Sequence, residues 1–222
     1  MTKTKLGIFI ALTVITLLLF LVPTGIQYLK SQNPELLNTT ESIKLQAGEY
    51  TVGKDIKVGI YDMQVTKGSL SYYSTRLSKG DEIIGINLLD ANKLYFEGSG
   101  EVELTPAEFN PIKPSANIFT IQHSGSYEVG KQIPAGKYTL TYTIDKSSKK
   151  KPFIQILPSY TDDARTEIQF ETKQAYDINL KTGEILTVSK TKSEELDNMT
   201  VLLKKTKKRP TIKSVQKGSL GF

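Results

Sequence analysis

Cysteine and tryptophan are absent, and there is one histidine in 222 residues. Without cysteine the chain has no disulfide, no thiolate nucleophile, no thiolate metal site and no thiol for lipoprotein acylation. A Ser-His-Asp triad or a multi-histidine zinc site would have to hang on His123 alone, so His123 is read as a surface or turn residue. Apolar residues make up only 38% of the chain, and much of that share sits in one N-terminal run. The remainder must therefore build modest cores. The charge balance is uneven, with 29 Lys and Arg against 23 Asp and Glu. Such a surplus favours polyanions in general, whether wall polymers or anionic lipid headgroups. Nucleic acid is not an expected partner, because no aromatics interleave with the basic residues.

What is present begins with Leu6 to Val22, an unbroken uncharged run in which 13 of 17 residues are Leu, Ile, Phe or Val. At the helix-centre scale these sum to roughly −4 to −8 kcal/mol in favour of membrane insertion. Extension through Tyr28 reaches the thickness of a hydrocarbon core. Lys3 and Lys5 precede the run and Lys30 follows it. The denser N-terminal charge places the N-terminus in the cytoplasm and the rest of the chain outside. The alternative is a cleaved signal peptide, but the stretch from Val22 to Gly25 offers no good small-residue cleavage site.

A short pattern occurs twice. Gly48-Glu-Tyr50-Thr-Val52-Gly53-Lys54-Asp-Ile56-Lys-Val-Gly59-Ile-Tyr61 is matched by Gly125-Ser-Tyr127-Glu-Val129-Gly130-Lys131-Gln-Ile133-Pro-Ala-Gly136-Lys-Tyr138, with eight of fourteen positions identical. Gly53 and Gly130 close strands that end in Val, and Gly59 and Gly136 open the next ones, where glycine permits unusual backbone angles or close approach. Tyr50, Tyr127, Tyr61 and Tyr138 are expected to lean ring-inward with their hydroxyls toward water. The spacing G-x4-G-K within the pattern imitates a phosphate-binding loop. However, Asp55 and Gln132 stand where Ser or Thr belongs, and no helix pattern follows. A second match, of Gly183-Glu184-Ile185 to Gly100-Glu101-Val102, extends the likeness to a whole unit.

Short alternating segments recur every eight to twelve residues, the spacing of a sandwich or small barrel. Tyr138 to Ile144 is the clearest strand. Lys67-Gly68 reads as a hairpin tip, and Gly98-Ser99-Gly100 as a turn. The resulting division is a cytoplasmic end and anchor over 1–29, a stalk over 30–42, a first β unit over 43–105, a proline-rich linker over 106–117, a second β unit over 118–205 and a basic tail over 206–222. The expected fold class is all-β, two tandem small antiparallel sandwich-like or barrel-like units behind one transmembrane helix. Units of this size are marginal alone, so an interface between them is expected.

At the duplicated pattern the chain resembles a repeat of Gram-positive cell-surface proteins, G-x-Y-x-V-G-x-D-I-P-A-G-x-Y. The first copy has Asp55 but Lys57-Val58 for Pro-Ala, whereas the second has Pro134-Ala135 but Gln132 for Asp. The resemblance implies an exported β module and carries no catalytic residues.

No catalytic residue, metal or cofactor is expected. The acidic clusters Asp81-Glu82 and Asp162-Asp163 lack the alternating acids and central glycine of a calcium loop. The candidate partner contacts are two basic clusters, Lys149, Lys150 and Lys151, and Lys204, Lys205, Lys207, Lys208 and Arg209. To these are added Tyr72 and Tyr73, of which one is expected to be exposed because neighbouring strand residues face opposite sides. The functional expectation is a membrane-anchored extracellular binding or scaffolding protein of the bacterial envelope, non-enzymatic, whose partner is an envelope protein, an anionic wall polymer or lipid headgroups. An accessory subunit of a membrane transport or secretion assembly is the alternative, with Gly7 and Ala11 as a small-xxx-small pair. A cell-envelope hydrolase is the remote one.

Overall fold

The computed structural model describes residues 41–73, 75–144, 151–170, 174–190 and 199–206. The expected anchor, nearly all of the stalk and all but the first residue of the tail lie outside these residues, as do Lys149, Lys150, Lys207, Lys208 and Arg209. The described part is all-β. Five strands come from the first unit: β1 (Ile43–Thr51), β2 (Gly59–Tyr72), β3 (Thr75–Ser78), β4 (Glu82–Leu88) and β5 (Lys93–Pro106). Eight come from the second: β6 (Ile118–Ile121), β7 (Ser124–Glu128), β8 (Gly136–Thr143), β9 (Phe153–Leu157), β10 (Thr166–Gln169), β11 (Tyr176–Leu180), β12 (Ile185–Ser189) and β13 (Thr200–Lys205).

The alternation read in the sequence is what each strand buries. In β8, Tyr138 and Leu140 are fully buried while Lys137 and Thr143 are exposed. Two separate cores result. One is built on Leu45, Tyr61, Met63, Leu94, Phe96 and Leu104, and the other on Phe119, Tyr138, Leu140, Ile154, Leu186 and Val201. The second core lies between a four-stranded sheet, β11-β8-β13-β6, and the strands β7, β12, β9 and β10.

The glycine-rich stretches of the first unit are not turns. β2 runs through Lys67-Gly68 and β5 through Gly98-Ser99-Gly100, and the two lie against each other with Gly68 opposite Gly100 and Leu70 opposite Gly98. A Cβ on Gly68 would lie 2.0 Å from the Ser99 carbonyl. The absent side chains let two 14-residue strands bend while they stay paired, with a bulge between Val65 and Lys67. The hairpin tip falls later, at Tyr73.

The two copies of the pattern have the same backbone arrangement. Gly53 N–H donates to Ile56 O and Gly130 N–H to Ile133 O, both at 2.7 Å. Gly53 and Gly130 take φ of 89° and 103°, which favours glycine. Gln132 fills the role of Asp55 through the same kind of oxygen: Thr51 N–H donates to Asp55 Oδ2 at 2.8 Å, and Glu128 N–H to Gln132 Oε1 at 2.9 Å. The tyrosine hydroxyls are tied to the backbone, that of Tyr50 at an exposed position and the other three part-buried. Each donates to the carbonyl four residues before it: Tyr50 to Gln46, Tyr61 to Lys57, Tyr127 to His123 and Tyr138 to Pro134.

The second half of the likeness lies elsewhere than Gly100-Glu101-Val102. Gly100 is inside β5, whereas Gly183 sits in a corner at φ 87°. The residue placed like Gly183 is Ala91, at φ 62°. Ala91 N–H donates to Val52 O at 3.1 Å, as Gly183 N–H does to Val129 O at 2.8 Å. Leu89 N–H donates to Asn92 Oδ1 and Lys181 N–H to Glu184 Oε2, both at 2.8 Å. Upstream, Tyr61 pairs with Ile86 as Tyr138 pairs with Ile178. The matching stretches are thus Ile86-Asn87-Leu88 and Ile178-Asn179-Leu180.

The units are joined edge to edge. β4 and β7 pair in parallel, Ile83 with Ser124 and Ile84 with Gly125, and this pair completes a nine-stranded sheet through both units. A Cβ on Gly125 would stand 2.0 Å from Ile84 O, and one on Gly85 2.2 Å from Ser126 O. Both glycines are therefore required by the approach itself. The proline-rich segment is fastened along the same seam. Ala107 N–H donates to Ile60 O and Ile112 N–H to Gln132 O, while Ile60, Ala107 and Phe109 form a small third core against Tyr160.

Candidate functional site

The seam between the units has two unlike sides. Ser126 and Tyr127 are neighbours on β7, so their side chains face opposite ways, and a hollow lies on each side.

On the Ser126 side is an open groove of about 350 Å³. Its floor is the parallel pair, with Ile83, Ile84 and Ile86 from β4 and Ser124 to Ser126 from β7. Its walls are Thr187 and Ser189 of β12 on one flank and Tyr72, Tyr73 and Thr75 on the other. Ser126 Oγ and Thr187 Oγ1 lie 3.2 Å apart. Ser124 Oγ accepts from Lys190 N–H at 3.1 Å. Asn87 also lines the groove; its Nδ2 reaches Tyr160 O at 3.4 Å, and its Oδ1 is buried without a hydrogen-bond partner. Among the described residues no lysine, arginine, aspartate, glutamate or histidine is in the lining.

The aromatic wall is set by the chain reversal. Tyr73 has φ 50°, a left-handed angle uncommon for a bulky residue. As a result its ring does not cross to the far face, as strand alternation predicts. It lies 4.6 Å from the Tyr72 ring, edge to face, and Tyr72 stacks on Phe96 at 5.5 Å. Tyr72 is half-buried, and burial pushes its phenol pKa up. Tyr73 is 65% exposed, the most exposed large apolar side chain among the described residues.

On the Tyr127 side is a smaller hollow of about 260 Å³ lined by Asp62, Glu108, Phe109, His123, Tyr127 and Gln132 among others. Burial raises the pKa of Asp62, and Glu82 and Glu108 add to the rise, although Gly85 N–H donates to its Oδ1 at 2.8 Å. His123 Nε2 lies 3.5 Å from Glu82 Oε2, a contact from one unit to the other. Among the described residues no three acidic or histidine side chains converge as metal ligands.

Of the expected basic contacts, Lys151, Lys204 and Lys205 are among the described residues. Lys205, next to Lys204, pairs with Tyr138 near the start of β8. Lys151, exposed, precedes β9. Of the expected contact residues that are described, Tyr72 and Tyr73 come together in a concave site. The groove residues Asn87, Ser126 and Thr187 were not legible beforehand. The one sequence signal near them is the repeated Ile-Asn-Leu, which marks the strand but not the groove.

Compared with protein-family models and with curated proteins, the chain matches none.

Proposed function

We propose that the chain is a single-pass protein of a bacterial cell envelope, non-enzymatic, with a cytoplasmic N-terminus and its β units outside, where they bind an envelope partner. The observation that carries the placement is the run from Leu6 to Val22 with Lys3 and Lys5 before it. The likeness to the Gram-positive cell-surface repeat supports the export. The matched corners at Gly53 and Gly130, and at Ala91 and Gly183, support reading the two units as copies of one ancestral β unit of sandwich type.

The binding role is supported by the seam. A groove formed where two units meet is a common place for ligand sites, and here it carries the strained, exposed Tyr73. Such backbone strain, on the order of 1–3 kcal/mol, concentrates at functional positions.

Protease added to intact cells tests the placement. The proposal expects the β units to be digested from outside, with only a short N-terminal fragment retained. Protection on intact cells with digestion after lysis would invert the topology and remove every envelope partner. Recovery of a bound polymer or protein from solubilised membranes tests the binding role.

A further inference from the structure

We infer that the seam groove is a saccharide site whose ligand is an uncharged glycan strand. The inference rests on the envelope reading for where the ligand is met, but its chemistry comes from the groove alone.

The lining excludes a polyanion first. Among the described residues none of the groove lining is basic or acidic. A phosphate-bearing or carboxylate-bearing polymer lying there would lose water without gaining a countercharge. The lysines that would suit it lie elsewhere, at Lys204 and Lys205 on the four-stranded sheet.

The polar groups that remain are of one kind. Thr75, Ser126 and Thr187 offer hydroxyls, groups that both donate and accept. Sugar hydroxyls have the same double character.

An extended peptide is a poorer occupant. Peptides that join a sheet do so through a free strand edge. The floor strands are paired on both sides, β4 with β2 and, at Ile83 and Ile84, with β7, and β7 also with β12; β3, whose Thr75 is in the wall, keeps an open edge but is only four residues long.

Tyr73 supplies the apolar half of the recognition. Its ring is braced by Tyr72, which is stacked on Phe96, so little side-chain freedom is left to lose when a ligand arrives. The C–H faces of a pyranose ring pack on such an aromatic surface. A volume of about 350 Å³ is at the small end for ligand pockets, room for roughly two sugar rings. Because the groove is open, the rest of a longer strand can pass on.

The test is calorimetric titration of the full chain, solubilised in a detergent without a sugar headgroup. The probes are linear neutral tetrasaccharides of glucose and of N-acetylglucosamine, with inorganic polyphosphate as the anionic comparison. The expected result is binding of at least one tetrasaccharide, unchanged between low and high salt. Tyr73→Ala should weaken it about tenfold, in line with loss of one aromatic contact, and Thr187→Val several-fold, with unaltered circular dichroism. Three results would overturn the inference: no tetrasaccharide bound, polyphosphate alone bound with salt sensitivity, or tetrasaccharide binding untouched by both substitutions. Failure here with the β units still digestible on intact cells removes the saccharide site and leaves the envelope reading standing. Glycan binding by a protein whose β units prove cytoplasmic does the reverse.

Discussion

At the scale of the residue, the determinants are side chains that satisfy the backbone where strands bend. Tyr138 is fully buried, and its hydroxyl donates to Pro134 O at 2.6 Å. Tyr138→Phe keeps the ring and strips the donor from that carbonyl, so a loss of about 1–2 kcal/mol is expected in urea unfolding, with the slope unchanged. Glu184 does more. It accepts from Lys181 N–H at 2.8 Å and from Arg165 Nε and Nη2 at 2.7 Å each, with its side chain 8% exposed. Burial works against its charge, but these hydrogen bonds outweigh it and hold the carboxyl below the usual range. Because the folded pKa is the lower one, the stabilisation is fully present above the unfolded pKa. It is lost as pH falls through the folded value. Glu184→Gln should therefore cost about 2 kcal/mol at neutral pH, and the gap between variant and parent should close on acidification below about pH 4. A gap that is constant down to pH 3 would mean the charge does not matter.

Between strands, what decides the architecture is how closely two backbones approach. Gly125 meets Ile84 at a distance that no Cβ tolerates, and Gly68 meets Ser99 likewise. Gly183 also takes a positive φ, but nothing lies within 4 Å of a Cβ built there, and Ala91 occupies the matching corner. The two glycines should respond differently. Gly183→Ala costs only backbone strain, about 1 kcal/mol. Gly125→Ala must push β4 and β7 apart and should cost more than about 3 kcal/mol. Thermal unfolding of the two variants separates these contributions, and equal losses would show that the seam is not close-packed. Strand existence was legible at this scale for the second unit, because Tyr138 to Ile144 and Tyr176 to Leu180 alternate with period two. The turns of the first unit were misread. Glycine marks both a turn and a close approach of two paired strands, and only the partner strand tells them apart: Gly100 opposite Gly68 lies within a ladder.

For the whole molecule, the two cores are tied by one sheet, by the Ile60, Ala107 and Phe109 cluster and by the His123–Glu82 contact. Units this small gain stability from such a junction. The described body is therefore expected to melt in a single calorimetric transition, with calorimetric and van't Hoff enthalpies equal, and Gly125→Ala should split it into two. Two transitions in the unaltered protein would mean that the units fold independently. The order of residues by itself determined the all-β class, the two strand-corner-strand devices and the absence of thiol chemistry. These follow from local rules: period-two burial, glycine at positive φ, and composition. The tertiary structure alone decided that the units share a sheet through one parallel pair, that Gly98 and Gly100 lie within a strand, and that Tyr73 flanks a groove with Ser126 and Thr187. Each of these depends on which residues, distant in the chain, come within a few ångströms of one another, and spacing along a single strand does not encode that distance.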